Sequence, residues 1–180
     1  VGGGGGGGSS PDMATVTAAA NRWEKSSPIS ARIRKAGNTY IETGTLPSGP
    51  DGETASHLID AIASGPPITG TVHRGLLFAD QAAWQKFGST LDAGTVNLGL
   101  SSFSRDPSVA ELFSGTKLAS RQYHANIKIT SGRGLDITSF SKFPSQREVI
   151  MMGAYSVISK RVVKAGTHNI LEVELSYVGE

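Results

Sequence analysis

Cysteine is absent from this 180-residue chain, so a disulfide framework, a thiolate nucleophile and any sulfur-built zinc or iron–sulfur site are excluded. An excess of one charge is missing too. Seventeen Lys and Arg stand against 15 Asp and Glu, a formal net charge of +2. That balance is wrong for a protein held to nucleic acid mainly by phosphate neutralisation, although it leaves room for a local basic patch. No apolar run reaches the roughly 18 to 20 residues of a membrane span. The chain opens on Val1 and a glycine run, not on a basic and then apolar signal segment. His57, His73, His124 and His168 lack metal-ligand spacing and no carboxylate cluster suggests a hard-cation site, so no metal is expected. The expectation is a soluble monomer that makes no membrane contact and has enough chain to bury one core.

What is there begins with seven consecutive glycines, Gly2 to Gly8, followed by Ser9 and Ser10. Such a run cannot offset its ordering entropy by burial, so residues 1–11 read as a flexible linker. Residues 12–180 read as one domain, with a helical N-terminal part over 12–66 and a sheet core over 67–180. Helices are predicted at 13–25, 30–36, 53–64, 81–87 and 107–113. The second stops at Gly37, and Pro47 to Gly52 form a loop. Extended segments are predicted at 71–73, 76–78, 95–102, 123–129, 147–152, 155–160 and 170–177, on β-branched and aromatic enrichment. Helices first and strands later, without βαβ alternation, give an α+β fold with an antiparallel or mixed sheet core. Trp23 and Trp84 sit on helices as core anchors.

Three stretches carry candidate chemistry. The first is Val72-His73-Arg74-Gly75, with an arginine ending a short apolar strand. The second is Ser101-Ser102-Phe103-Ser104-Arg105-Asp106-Pro107, presenting hydroxyls before a helix. The third runs from Phe140 through Ser141-Lys142-Phe143-Pro144-Ser145-Gln146-Arg147 to Glu148, a loop leading into a strand. Singly, each has an ordinary structural explanation: a surface ion pair, a helix cap, the solvated face of an edge strand.

Together, the order Arg, Ser-x-Ser, Gln-x-Glu resembles the mono-ADP-ribosyltransferases of the arginine–serine–glutamate type, which include bacterial toxins, phage-encoded transferases and vertebrate ecto-enzymes. The resemblance covers roughly residues 53–177. It implies two packed antiparallel or mixed sheets forming an NAD cleft, with helices on the N-terminal side. It also implies cleavage of the nicotinamide–ribose bond of NAD and transfer of ADP-ribose to an acceptor. Delivery into a target cell as part of a larger polypeptide is the matching expectation.

The chemistry suits these residue types. Nicotinamide leaves as a neutral molecule, so the demand is to stabilise positive charge growing on the ribose, as in glycoside hydrolysis. By the resemblance, Glu148 holds the ribose 2′-hydroxyl and stabilises that charge. Arg74 meets the pyrophosphate with paired, charge-assisted hydrogen bonds, Gly75 offers main-chain groups to the carboxamide, and Ser102 orients Glu148. Ser104 supports the turn, and Phe113 belongs to the cofactor side. Residues 114–120, with Gly115 and Lys117, resemble the loop that folds over nicotinamide and phosphate. Phe140 and Phe143 sit in the acceptor loop, Phe143 as the contact to the target and Phe140 as a core residue.

Gln146 departs from arginine-modifying members, which carry glutamate there. Glutamine occurs in Rho-modifying clostridial exoenzymes, which modify asparagine, and in pierisin-like toxins, which modify guanine. An amide donates and accepts hydrogen bonds but is no base. On a strand, Gln146 and Glu148 would share one face. The acceptor is expected to be a protein side chain. Nucleic acid, a weakened NAD-binding or NAD-hydrolysing variant, and an engineered Glu-to-Gln change stay open beside it.

Overall fold

The computed structural model describes residues 12–114 and 122–179, with the side chains of residues 112–114 outside the description. Five helices and five strands alternate irregularly: α1 (Met13–Trp23), α2 (Ser27–Thr43), α3 (Pro50–Ser64), β1 (Ile68–Phe78), α4 (Gln81–Thr90), β2 (Thr95–Ser104), α5 (Pro107–Ser114), β3 (Tyr123–Asp136), β4 (Glu148–Ala165) and β5 (His168–Gly179). The class is α+β, and the strands make a mixed five-stranded sheet.

The chain divides into two compact units. One takes the chain up to Ile68 with Gly99–Ser101 and Arg133–Met152; the other takes Thr69–Leu98, Ser102–Gly132 and Gly153 onward. In the first unit, each helix start is chemically specified. Asp12 caps α1 by accepting from Thr15 N at 2.8 Å and Ser26 caps α2 by accepting from Ile29 N at 3.3 Å. Pro50 stands at the start of α3, whose first turn carries Asp51 and Glu53 to complement the helix dipole. Asp51 ties the three helices together, meeting Arg22 at 2.7 Å and Arg32 at 3.1 Å. The Arg22 bond, ahead of the Arg32 bond, holds its carboxyl below the ordinary value. Ala20, Trp23, Ile33, Ala55, Leu58, Leu100, Ile137 and Ile150 form one buried cluster beneath them.

The predicted end of α2 at Gly37 is corrected: the helix runs on to Thr43, and Gly44 ends it in the left-handed region at φ 73°. Gly37 is buried, and a Cβ there would stand 3.1 Å from Leu100 Cδ1. This glycine therefore serves close helix–strand packing, not termination. The predicted loop shrinks accordingly, because α3 begins at Pro50 and not at Glu53. In the same unit β3 pairs antiparallel with β4, Leu135 opposite Ile150 and Asp136 opposite Val149.

In the second unit β3 runs parallel to β5, with Asn126 opposite Glu172, and β4 runs antiparallel to β5, with Arg161 opposite Glu172. His73 of β1 pairs with Ser104 of β2. The two short segments predicted at 71–73 and 76–78 are one strand that continues through Arg74 and Gly75. Likewise β4 continues past Gly153, whose φ of 118° and closeness to the Tyr177 ring, 3.2 Å from a built Cβ, demand glycine. Asp80 caps α4 through Ala83 N at 2.8 Å, and Trp84 on that helix donates to the His124 carbonyl at 2.9 Å.

Candidate active site

In the first unit the candidate site centres on Glu148. It opens β4 and is only 7% exposed, and its carbonyl accepts from Ile137 N at 3.1 Å. A buried carboxylate needs donors, and one of them is Trp23, whose indole Nε1 gives a hydrogen bond to Glu148 Oε2 at 2.9 Å. Trp23 is the last residue of α1. Behind it, the Arg34 guanidinium of α2 lies 6.0 Å from the indole ring centre and Arg34 Nε donates to the Leu100 carbonyl at 3.0 Å. Burial pushes the Arg34 guanidinium below its ordinary value, and an arginine nonetheless stays charged at neutral pH.

The loop before Glu148 is held to the same helix end. Ser141 Oγ donates to the Glu24 carboxylate, Lys142 N donates to Glu24 Oε1 at 3.3 Å, and Phe143 N donates to Ser141 Oγ at 2.8 Å. Phe140 is half-buried and packs on the first unit's core. Phe143 is 49% exposed. It borders a concavity of about 500 Å³ with Asn21, Arg22, Glu24, Lys25 and Lys142.

The strand placement considered for Gln146 is corrected. Pro144–Gln146 form a 3₁₀ turn, with Gln146 N donating to Phe143 O at 3.0 Å. Arg147 then takes the left-handed region at φ 47°, the one non-glycine among the described residues to do so. β4 starts at Glu148, so the strand period does not govern the relation between Gln146 and Glu148.

In the second unit Arg74 is half-buried in β1, and its Nη1 donates to the Ser102 carbonyl at 2.7 Å. Gly75 beside it is buried in the strand. Ser104 is 3% exposed, and its hydroxyl accepts from Asp106 N at 3.0 Å. Asp106 in turn accepts from Ser108 N at 3.0 Å at the start of α5. The motif thus builds a strand-to-helix corner that fixes Ser102 against Arg74. Phe113 belongs to α5, but its side chain lies outside the described residues, as do Gly115, Lys117 and Arg121.

His73, next to Arg74, points to the other face of β1. There it borders a concavity of about 560 Å³ with Glu111, Asn126, Lys128, Arg161 and Glu172. Burial, reinforced by Lys128 and opposed by Asp106, holds the His73 imidazole below its ordinary value. Among the described residues no three His, Cys, Asp or Glu side chains gather as a metal site, and no helix is long and apolar enough to cross a membrane.

Trp23 and Glu24 escaped the sequence reading as candidate site residues. So did the hydrogen-bonded ring pair His124 Nε2 and His168 Nδ1, 2.8 Å apart across the parallel strands. The apolar spacing of Val16, Ala19, Ala20 and Trp23 marks a buried helix face. It carries no sign that the indole meets a carboxylate 125 positions away.

No protein-family model matches the chain, and no curated protein matches it by sequence. Solved structures do match. Exoenzyme S from Pseudomonas aeruginosa, solved with human 14-3-3 protein beta and bound to carba-NAD, aligns with a TM-score of 0.62 at 14% identity, over 92% of this chain and 76% of that one. The C3 exoenzyme of Clostridium limosum aligns with a TM-score of 0.62 at 14% identity, over 91% and 85%. The ADP-ribosyltransferase HopU1 of Pseudomonas syringae aligns with a TM-score of 0.53 at 18% identity over 79% of this chain, which spans 64% of HopU1's length. The chain has the ADP-ribosyltransferase fold.

Proposed function

We propose that this chain is a mono-ADP-ribosyltransferase of the arginine–serine–glutamate type. It cleaves the nicotinamide–ribose bond of NAD, releases nicotinamide and transfers ADP-ribose to a side chain of a protein acceptor. The observation that carries the reading is a buried carboxylate, Glu148, held in one orientation by an indole N–H on a chain with this fold. The fold neighbour solved with carba-NAD supports the choice of dinucleotide.

Each residue has a task that its chemistry fits. Glu148 accepts from the ribose 2′-hydroxyl and stabilises the cationic ribose as nicotinamide departs. No general acid is needed, since the leaving group departs neutral. Arg74, anchored through Nη1 to the Ser102 carbonyl, is a pre-set fork for the pyrophosphate. Gly75 supplies main-chain groups to the carboxamide, and by the resemblance Ser102 orients Glu148. The same resemblance assigns Phe113 to the cofactor. Phe143, exposed at the tip of the acceptor loop, is the apolar contact to the target. Gln146 offers an amide that donates and accepts but cannot deprotonate a guanidinium, which favours an acceptor other than arginine. No step calls for a metal.

Incubation with NAD labelled in the adenylate, with release of nicotinamide followed in parallel, tests the reading. Protease-sensitive label on a discrete target is the expected result. Label lost to nuclease and not to protease makes the acceptor a nucleic acid, and nicotinamide release without transfer makes the protein an NAD glycohydrolase. Neither release nor transfer refutes the proposal.

A further inference from the structure

We infer that Trp23 is a positioning residue for Glu148, with Arg34 holding the indole in place. This deepens the proposed function and rests on it. Glutamate has three side-chain torsions, so a buried carboxylate without a fixed partner samples several positions. Indole has two torsions, and Trp23, 3% exposed, is locked among Ala20, Ile33, Leu58 and Ile150. The rigid partner therefore dictates where the flexible one sits. The chemistry is one-way as well: an indole N–H is a donor only and a buried one must find an acceptor, which here is Glu148 Oε2 at 2.9 Å.

Arg34 closes the arrangement. Its guanidinium is pinned by the Leu100 carbonyl at 3.0 Å and lies near the indole at 6.0 Å. A cation there draws electron density from the ring, which strengthens the N–H as a donor, and the low-dielectric surroundings enlarge the effect. A carboxylate offers about four lone-pair sites, so the indole bond can orient Glu148 without using up its acceptor capacity. The N-terminal helices thereby contribute to the geometry of Glu148.

Trp23→Phe keeps an aromatic ring in the core and deletes the N–H. With wild type active, the variant is expected to release nicotinamide with kcat lowered about 30- to 100-fold, the scale of a small misplacement of a reacting group, while KM for NAD stays within twofold. In a Glu148→Gln background the same change is expected to cost nothing further, because both act through one carboxylate. A kcat within twofold of wild type overturns the inference. So does an equal loss in both backgrounds, or a loss expressed in KM, since either marks a general packing effect. Wild type without nicotinamide release refutes the proposed function, and this role falls with it. A reading independent of turnover and of whether Trp23→Phe folds is the Trp23 indole N–H resonance in Glu148→Ala. It is expected to shift and exchange faster with solvent than in wild type, and an unchanged signal overturns the contact.

Discussion

Replacing Glu148 separates its chemical role from its structural one. Glu148→Gln keeps an oxygen acceptor for the Trp23 indole, now 2.9 Å from Oε2, and removes the charge. The exchange of a charged for a neutral hydrogen bond costs roughly 1 kcal/mol, and relief from burying a carboxylate that is 7% exposed offsets it. The melting temperature is therefore expected to move by no more than about 4 °C. Activity is another matter. Two opposite charges 4 Å apart at an effective dielectric of 20 attract by roughly 4 kcal/mol, so losing the carboxylate charge slows nicotinamide release about a thousandfold. Glu148→Ala loses the same rate and also leaves the buried indole N–H without its acceptor, which costs roughly 1 to 3 kcal/mol. Initial rates of nicotinamide release, measured beside thermal unfolding of the same preparations, give both quantities. Turnover of Glu148→Gln within tenfold of wild type refutes the electrostatic argument, and an Ala variant as stable as the Gln variant refutes the argument from the indole.

Three further outcomes follow from other parts of the molecule. Burial first, then Lys128, depresses His73 below the 6.5 of a free imidazole, so the unfolded chain takes up the proton more readily. Its contribution is complete above about pH 6.5 and is lost as pH falls through the lower folded value; unfolding of His73→Gln between pH 7 and 5 should show a shallower decline than wild type, and parallel declines refute the assignment. Gly52→Ala should be destabilised by about 2 kcal/mol or more in denaturant unfolding, because the new Cβ would sit 1.9 Å from the Pro47 carbonyl oxygen, and that clash exceeds the roughly 1 kcal/mol an alanine gains in a helix. Arg147→Val puts a β-branched residue at φ 47° and should cost about 1 to 2 kcal/mol, whereas Arg147→Gly should not destabilise; unfolding midpoints decide both.

The fold class was legible because it rests on local signals: caps, turn residues, apolar periods. The failures share a cause. Gly37 and Gly153 read as breaks because glycine lowers local propensity, yet each sits where another group comes too close for a side chain, Leu100 in one case and the Tyr177 ring in the other. Arg74-Gly75 split β1 for the same reason. A glycine's local cost is visible in the sequence, and its tertiary use is not. Gln146 fell within the predicted loop, and the strand considered for it gives way to a 3₁₀ turn and a left-handed Arg147, because a two-residue spacing fits either.

The site itself divides along the same line. Arg74, Ser102 and Glu148 could be singled out only through the order Arg, Ser-x-Ser, Gln-x-Glu and its resemblance to the mono-ADP-ribosyltransferases, because each run alone has an ordinary structural explanation. Trp23 lies in an alanine-rich helix where any large apolar residue satisfies the periodicity, so its apolar body was expected and its N–H was not. Yet the N–H is a donor to the buried carboxylate, and a leucine in that place would fill the core and remove this donor from Glu148 Oε2. Apolar patterning assigns Trp23 to the interior; only the three-dimensional pairing explains why the residue there is tryptophan.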